Sequence, residues 1–158
     1  MAIEDDIAAY EPANEQEEVD KQVILSVLGT RENAFSREAL AHMACSIWVV
    51  SPDCAQTLLV FHNIYSLEVL TVDGHEKRGK YVGSHLHLNV TYLAVASPDE
   101  PIRIKPDENS GVKWVPTEDA IALSTEPWIR ERIYRKLIDK LDDPAAKRGI
   151  ERVARAFV

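Results

Sequence analysis

The stretch His85-Leu86-His87-Leu88-Asn89-Val90-Thr91-Tyr92 alternates polar and apolar residues without a break. That is the period of an extended strand, and it is incompatible with a helix of 3.6 residues per turn. The pattern predicts a half-buried strand with Leu86, Leu88, Val90 and Tyr92 toward a core and His85, His87, Asn89 and Thr91 on the opposite face. Two histidines at i and i+2 on a strand lie roughly 7 Å apart, close enough to share a metal or a phosphate group. No third ligand stands at a recognisable spacing, so a substrate-facing or internally satisfied polar strand is expected over a His-x-His metal site.

Elsewhere the pattern is mixed. Asn14 followed by Glu17 has the form of a capping box, and Val19, Val23 and Val27 recur at helical spacing until Gly29 offers a C-cap, which predicts a helix over 15–28. Ile47–Val50 and Leu58–Phe61 are apolar on both faces and read as central strands covered on both sides. Val112–Val115 reads as a short strand, and Thr117 as the cap of a helical turn through Glu118–Leu123. A long amphipathic helix is expected from Pro127, striped by Ile129, Ile133, Leu137 and Leu141. Asp143-Pro144 is an N-cap and N1 pair for a last helix carrying Ile150, Val153 and Phe157. Such covered strands are what a helix-sheet-helix sandwich needs.

With 158 residues, of which 46% are hydrophobic, the chain is long enough for one domain with a real core and too short to argue for two. We read 1–158 as that domain, with 1–13 as an acidic N-terminal arm and 126–158 as C-terminal helices. The net charge of -8 belongs to the first twenty residues, which hold eight acidic groups and no basic one, leaving 18 acidic against 18 basic. A neutral body lacks the positive surface that nucleic acid requires, so no nucleic-acid partner is expected. No apolar run has the length of a membrane span and the N-terminus is acidic where a signal peptide would be basic, so a cytoplasmic location and no membrane partner are expected. Cys45 and Cys54 have no C-x-x-C partner, and Cys45 reads as a small buried apolar residue mid-strand.

Two blocks of the chain resemble one enzyme family. Upstream, His42-Met43-Ala44-Cys45-Ser46-Ile47-Trp48-Val49-Val50-Ser51-Pro52-Asp53 and Leu58–Tyr65 are similar to the opening strands of a bacterial Nudix hydrolase. Downstream, Ser66–His75, Ser84–Leu93 and Lys105–Pro116 resemble the family's later strands and loops. In such relatives the counterpart of His62-Asn63-Ile64-Tyr65 runs on into the Nudix box, G-x5-E-x7-R-E-U-x-E-E-x-G-U with U aliphatic. Here Tyr65 is followed directly by Ser66 and nothing fits the box. Arg37-Glu38-Ala39-Leu40-Ala41-His42 begins like R-E-U but has Ala and His where paired glutamates belong, and Arg130-Glu131-Arg132-Ile133 departs sooner. The box matters because its helix places carboxylates on one face at three- and four-residue spacing, where they hold magnesium against a diphosphate.

The resemblance therefore implies the α+β class, as a Nudix-like α/β/α sandwich with a mixed sheet, lacking the catalytic helix. It implies a relative of pyrophosphohydrolases acting on nucleoside diphosphate-linked or similar small molecules, expected to be inactive as written. Mg2+ is the cofactor of intact relatives and is not expected to bind tightly here. The substrate-binding candidates are His62, Asn63, His85, His87 and Asn89, and Glu108, in the loop before Val112, is the metal-ligand or general-base candidate. Pro106–Gly111 reads equally as a plain turn-rich loop. Lys77, Arg78 and Lys80 are available to an anionic substrate. A non-catalytic ligand-binding or assembly module and a non-functional, internally deleted product are the alternatives. Loss of the catalytic helix predicts an opened face around His85, His87 and Asn89, exposed apolar surface around Leu59, Phe61 and Ile64, and self-association.

Overall fold

A computed structural model of the chain describes residues 3–54, 64–103 and 112–154. These fall into two compact units, Met1–Ser46 with Asn63–Tyr92, and Ile47–His62 with Leu93–Val158. The structure is mixed α+β. A three-stranded sheet has the order β1(Ala41–Val50), β5(His85–Val95), β2(Ile64–Val72), and β3(His75–Lys77) pairs with β4(Lys80–Val82) in a separate ribbon. β2 runs antiparallel to β5, with Val72 opposite His85 and Ser66 opposite Thr91. The Leu86 amide donates to Leu40 and the Ala96 amide to Val50, so β1 runs parallel to β5 and the sheet is mixed.

In the first unit the acidic arm is more than a charged tail. Ile3–Ala9 forms helix α1, whose Ile7 is fully buried, and the Lys21 ammonium donates to the carbonyls of Ala8 and Tyr10 at its C-terminal end, where the helix dipole favours a cation. Helix α2(Glu15–Thr30) starts where the capping pattern predicts, with Asn14 extended and its side-chain oxygen accepting from the Glu17 amide at 2.9 Å. Its end and its buried face differ from the sequence reading. The helix continues through Gly29 to Thr30. Val19 and Val23 are exposed, and the face turned inward carries Glu17 and Ile24. Ile7, Ile24, Ala41, Leu67, Leu88 and Val90 make the core, each fully buried Leu contributing about 2 kcal/mol of transfer free energy. The apolar set of the alternating strand faces this core as expected.

In the second unit, the segment from Pro127 is helical as expected but passes through a π-helical stretch, Ile129–Tyr134, before α4(Arg135–Leu141). Ile133, Leu137 and Leu141 are buried, Ile150 of α5(Pro144–Ala154) is buried, and the Trp48 and Tyr134 rings pack 5.4 Å apart. Four expectations fail. Residues 112–115 form no strand, and only Pro116 makes an isolated bridge before α3(Asp119–Leu123). Thr117 caps nothing: the N-cap of α3 is Glu118, without a side-chain capping bond, and the Thr117 hydroxyl donates to the Cys54 carbonyl at 2.8 Å. Cys45 is exposed rather than buried. Ile47, assigned to a strand covered on both sides, is 46% exposed. Leu58–Phe61 lie outside the described residues, and among those described β5 is the central strand. Among the described residues no helix is long and apolar enough to cross a membrane.

Candidate functional site

The polar face of β5 divides into two halves, and the cross-strand register explains why. Asn89 stands opposite Glu68 and Thr91 opposite Ser66, whereas His85 stands opposite Val72 and His87 opposite Leu70. In the first half, polar groups meet polar groups. Glu68, fully buried, accepts from the Asn89 amide and the Thr91 hydroxyl, both at 2.8 Å. The Asn89 oxygen accepts from the Ser46 hydroxyl at 2.9 Å, so one hydrogen-bonded chain crosses all three strands. A second buried carboxylate, Glu17, accepts from the Ser66 hydroxyl (2.7 Å), the Tyr10 hydroxyl (2.7 Å) and the Ala13 amide (2.8 Å). Buried carboxylates are tolerated when donors replace water in this way. Burial and then the hydrogen bond to Glu17 raise the Tyr10 pKa far above the ordinary phenol value and keep it protonated.

The second half has no such partners on β2, because Leu70 and Val72 offer neither donor nor acceptor. The histidines turn to one another instead. His85 Nε2 and His87 Nε2 are 3.1 Å apart, and His42, buried near the start of β1, brings its ring centroid to 5.1 Å from that of His85 and 4.8 Å from that of His87. One ring nitrogen from each of the three lies within 4.8 Å of those from the other two. Two of the rings are oriented from behind, His42 by the Ala39 carbonyl against Nδ1 (3.2 Å) and His85 by the Gly83 carbonyl against Nδ1 (2.9 Å). A carbonyl at Nδ1 fixes the proton there, so in the contact between the two strand histidines His87 Nε2–H donates to the Nε2 lone pair of His85. His87 is held below the ordinary imidazole pKa, first by burial and then by the neighbouring His42, His85, Lys77 and Arg37. That favours the neutral form of His87, the protonation state in which imidazole binds a metal ion.

His42 is the residue that the sequence reading did not bring to the site. It stood there only as part of the upstream block. Nothing local signals it, since its place depends on the parallel pairing of β1 with β5. His75, on β3, comes within 6.2 Å of the His85 ring. Lys77, Arg78 and Lys80 are exposed on the β3–β4 hairpin, whose turn has Arg78 at φ 52° and Gly79 at φ 73°. Positive φ at both central residues is the geometry of a type I′ turn. His62, Asn63 and Glu108 lie outside the described residues. The face around Asn89, expected to be opened by loss of a helix, is closed: Asn89 and Thr91 are each 2% exposed. Tyr65 and Ser66 lie inside β2, beside a shift of register between Ile64 and Ser66.

In the second unit a cleft of about 490 Å³ lies between the turn at Asp53-Cys54, Thr117, and the helices carrying Leu141, Lys147 and Ile150. Its charges are of both signs, and Lys147 pairs with Asp142 at 2.8 Å. No family model matches this chain, and no curated protein matches it. The functional reading therefore rests on the residues and their geometry.

Proposed function

We propose that this chain is a non-hydrolysing, Nudix-type binding module whose working surface is the histidine end of the β1–β5–β2 sheet. The observation that carries the reading is the position of Tyr65 and Ser66 in consecutive places of one strand, the point at which the resembled family inserts its carboxylate-bearing helix. Without that helix, general-base and magnesium-holding roles lack their side chains. The carboxylates Glu17 and Glu68 do not replace it, because both are fully buried and accept hydrogen bonds from neighbouring side chains and, for Glu17, the backbone. Satisfied buried polar groups also favour a coherently packed chain over a decayed product. The ligand class implied by the resemblance is a diphosphate-containing small molecule, for which Lys77, Arg78 and Lys80 supply positive charge on the hairpin.

The test is phosphate release from nucleoside diphosphate derivatives with and without Mg2+. Release is expected to stay at the blank. Magnesium-dependent release that disappears in Glu108→Gln would overturn the reading and restore an active phosphoanhydride hydrolase.

A further inference from the structure

We infer that His42, His85 and His87 form a three-histidine site for a divalent cation of the zinc class. Zinc–imidazole bonds of about 2.0–2.1 Å at a tetrahedral angle place neighbouring nitrogens about 3.3 Å apart. His85 and His87 hold their Nε2 atoms 3.1 Å apart in a hydrogen bond whose proton passes to His87 Nδ1 when both nitrogens bind the ion, and no pair in the trio is more than 4.8 Å apart, so closing the site requires a ring movement of at most about 1.5 Å with the strands in place. The backbone behind the site supplies an independent observation. The carbonyls of Ala39 and Gly83 meet the Nδ1 atoms of two of the three rings, the arrangement that orients metal-bound histidines and sets their tautomer. Leu70 and Val72, opposite His87 and His85, give the site an apolar flank that offers no competing ligand.

The donor set selects the cation. Neutral imidazoles suit zinc, copper, nickel and iron, whereas magnesium and calcium take oxygens. The site therefore does not restore the magnesium cage of the resembled family. Three protein ligands leave the fourth position of a tetrahedral ion to water or an anion. The inference goes beyond the binding-module reading, adding a metal ion to the working surface assigned there. The two fail separately, since magnesium-dependent hydrolysis would defeat the module reading without bearing on the histidines.

The experiment is calorimetric titration of the full chain, stripped with a chelator, with Zn2+, paired with the visible spectrum of the Co2+ form. One equivalent of zinc and the intense bands of four-coordinate cobalt are expected. His42→Ala and His87→Ala should each weaken binding by more than about 100-fold, beyond the ~10–100-fold typical of losing only an outer-shell partner. His85→Ala, at a half-buried position, gives the same readout should His42→Ala fail to fold. Cys45→Ser controls for metal uptake by an exposed thiol and should leave the affinity unchanged. Absence of stoichiometric zinc binding, six-coordinate cobalt, full affinity in His85→Ala and His87→Ala, or loss of binding in Cys45→Ser would overturn the inference and leave a hydrogen-bonded imidazole stack.

Discussion

The two halves of the β5 polar face are written in the same alternating code and end in opposite physical states. At Asn89 and Thr91 the code is answered by Glu68 and Ser66 across the ladder, and the groups are sealed from water with donors and acceptors matched. At His85 and His87 it is answered by Val72 and Leu70, and the imidazoles collect around His42 with one nitrogen of each within 4.8 Å of the other two. The lesson is that a polar residue on a sheet is structural or available according to its cross-strand neighbour. Matched neighbours consume hydrogen-bonding capacity, whereas apolar ones leave it for a ligand.

The comparison predicts that the sealed half carries stability and the histidine half does not. The largest effect is expected for Glu17→Ala, which strips the acceptor from the buried Ser66 hydroxyl, breaks the bonds to half-buried Tyr10 and exposed Ala13 and leaves a cavity at a fully buried position, and should cost about 3–5 kcal/mol in urea unfolding. Glu68→Ala removes the acceptor shared by Asn89 and Thr91 and leaves a cavity, for a loss of about 2–4 kcal/mol. A cost under about 0.5 kcal/mol for either, the level of an ordinary surface change, would break the comparison.

His87→Ala should cost under about 1 kcal/mol in chelator-treated protein, because its ring is half-buried and its only short polar contact among the described residues is His85. The same variant should abolish any rise in thermal midpoint on adding zinc, since a ligand stabilises only the state that binds it. Equal midpoints for wild type and variant with zinc present would place the histidines on the structural side of the comparison. The smallest effect is expected at the hairpin next to the histidine end. Arg78 sits at φ 52°, so Arg78→Gly should gain about 0.5 kcal/mol, the relief of a left-handed backbone less the entropy glycine adds to the unfolded chain. Thermal unfolding of the two chains side by side measures it.

The sequence by itself determined what depends on neighbours a few residues away. The Asn14 cap, the two faces of His85–Tyr92, and the helical stripe of Ile133, Leu137 and Leu141 follow from periodicities of 2 and 3.6 and from a side chain reaching its own backbone. Where two local solutions compete, local rules fall short. Val19 and Val23 look like the buried stripe of α2, but Glu17, with donors waiting in Tyr10 and Ser66, turns the helix to a different face. Thr117 has a capping hydroxyl, but α3 begins one residue later, with Glu118 at its N-cap, and that hydroxyl donates to the Cys54 carbonyl. The histidine cluster belongs wholly to tertiary structure. The spacing of His85 and His87 was legible, but the third nitrogen arrives from His42 through the parallel pairing of β1 with β5, and the difference between the sealed and the converging half comes from the register of β2. Strand order and register are chosen by the total burial of distant segments, a sum over the whole chain that no local pattern contains.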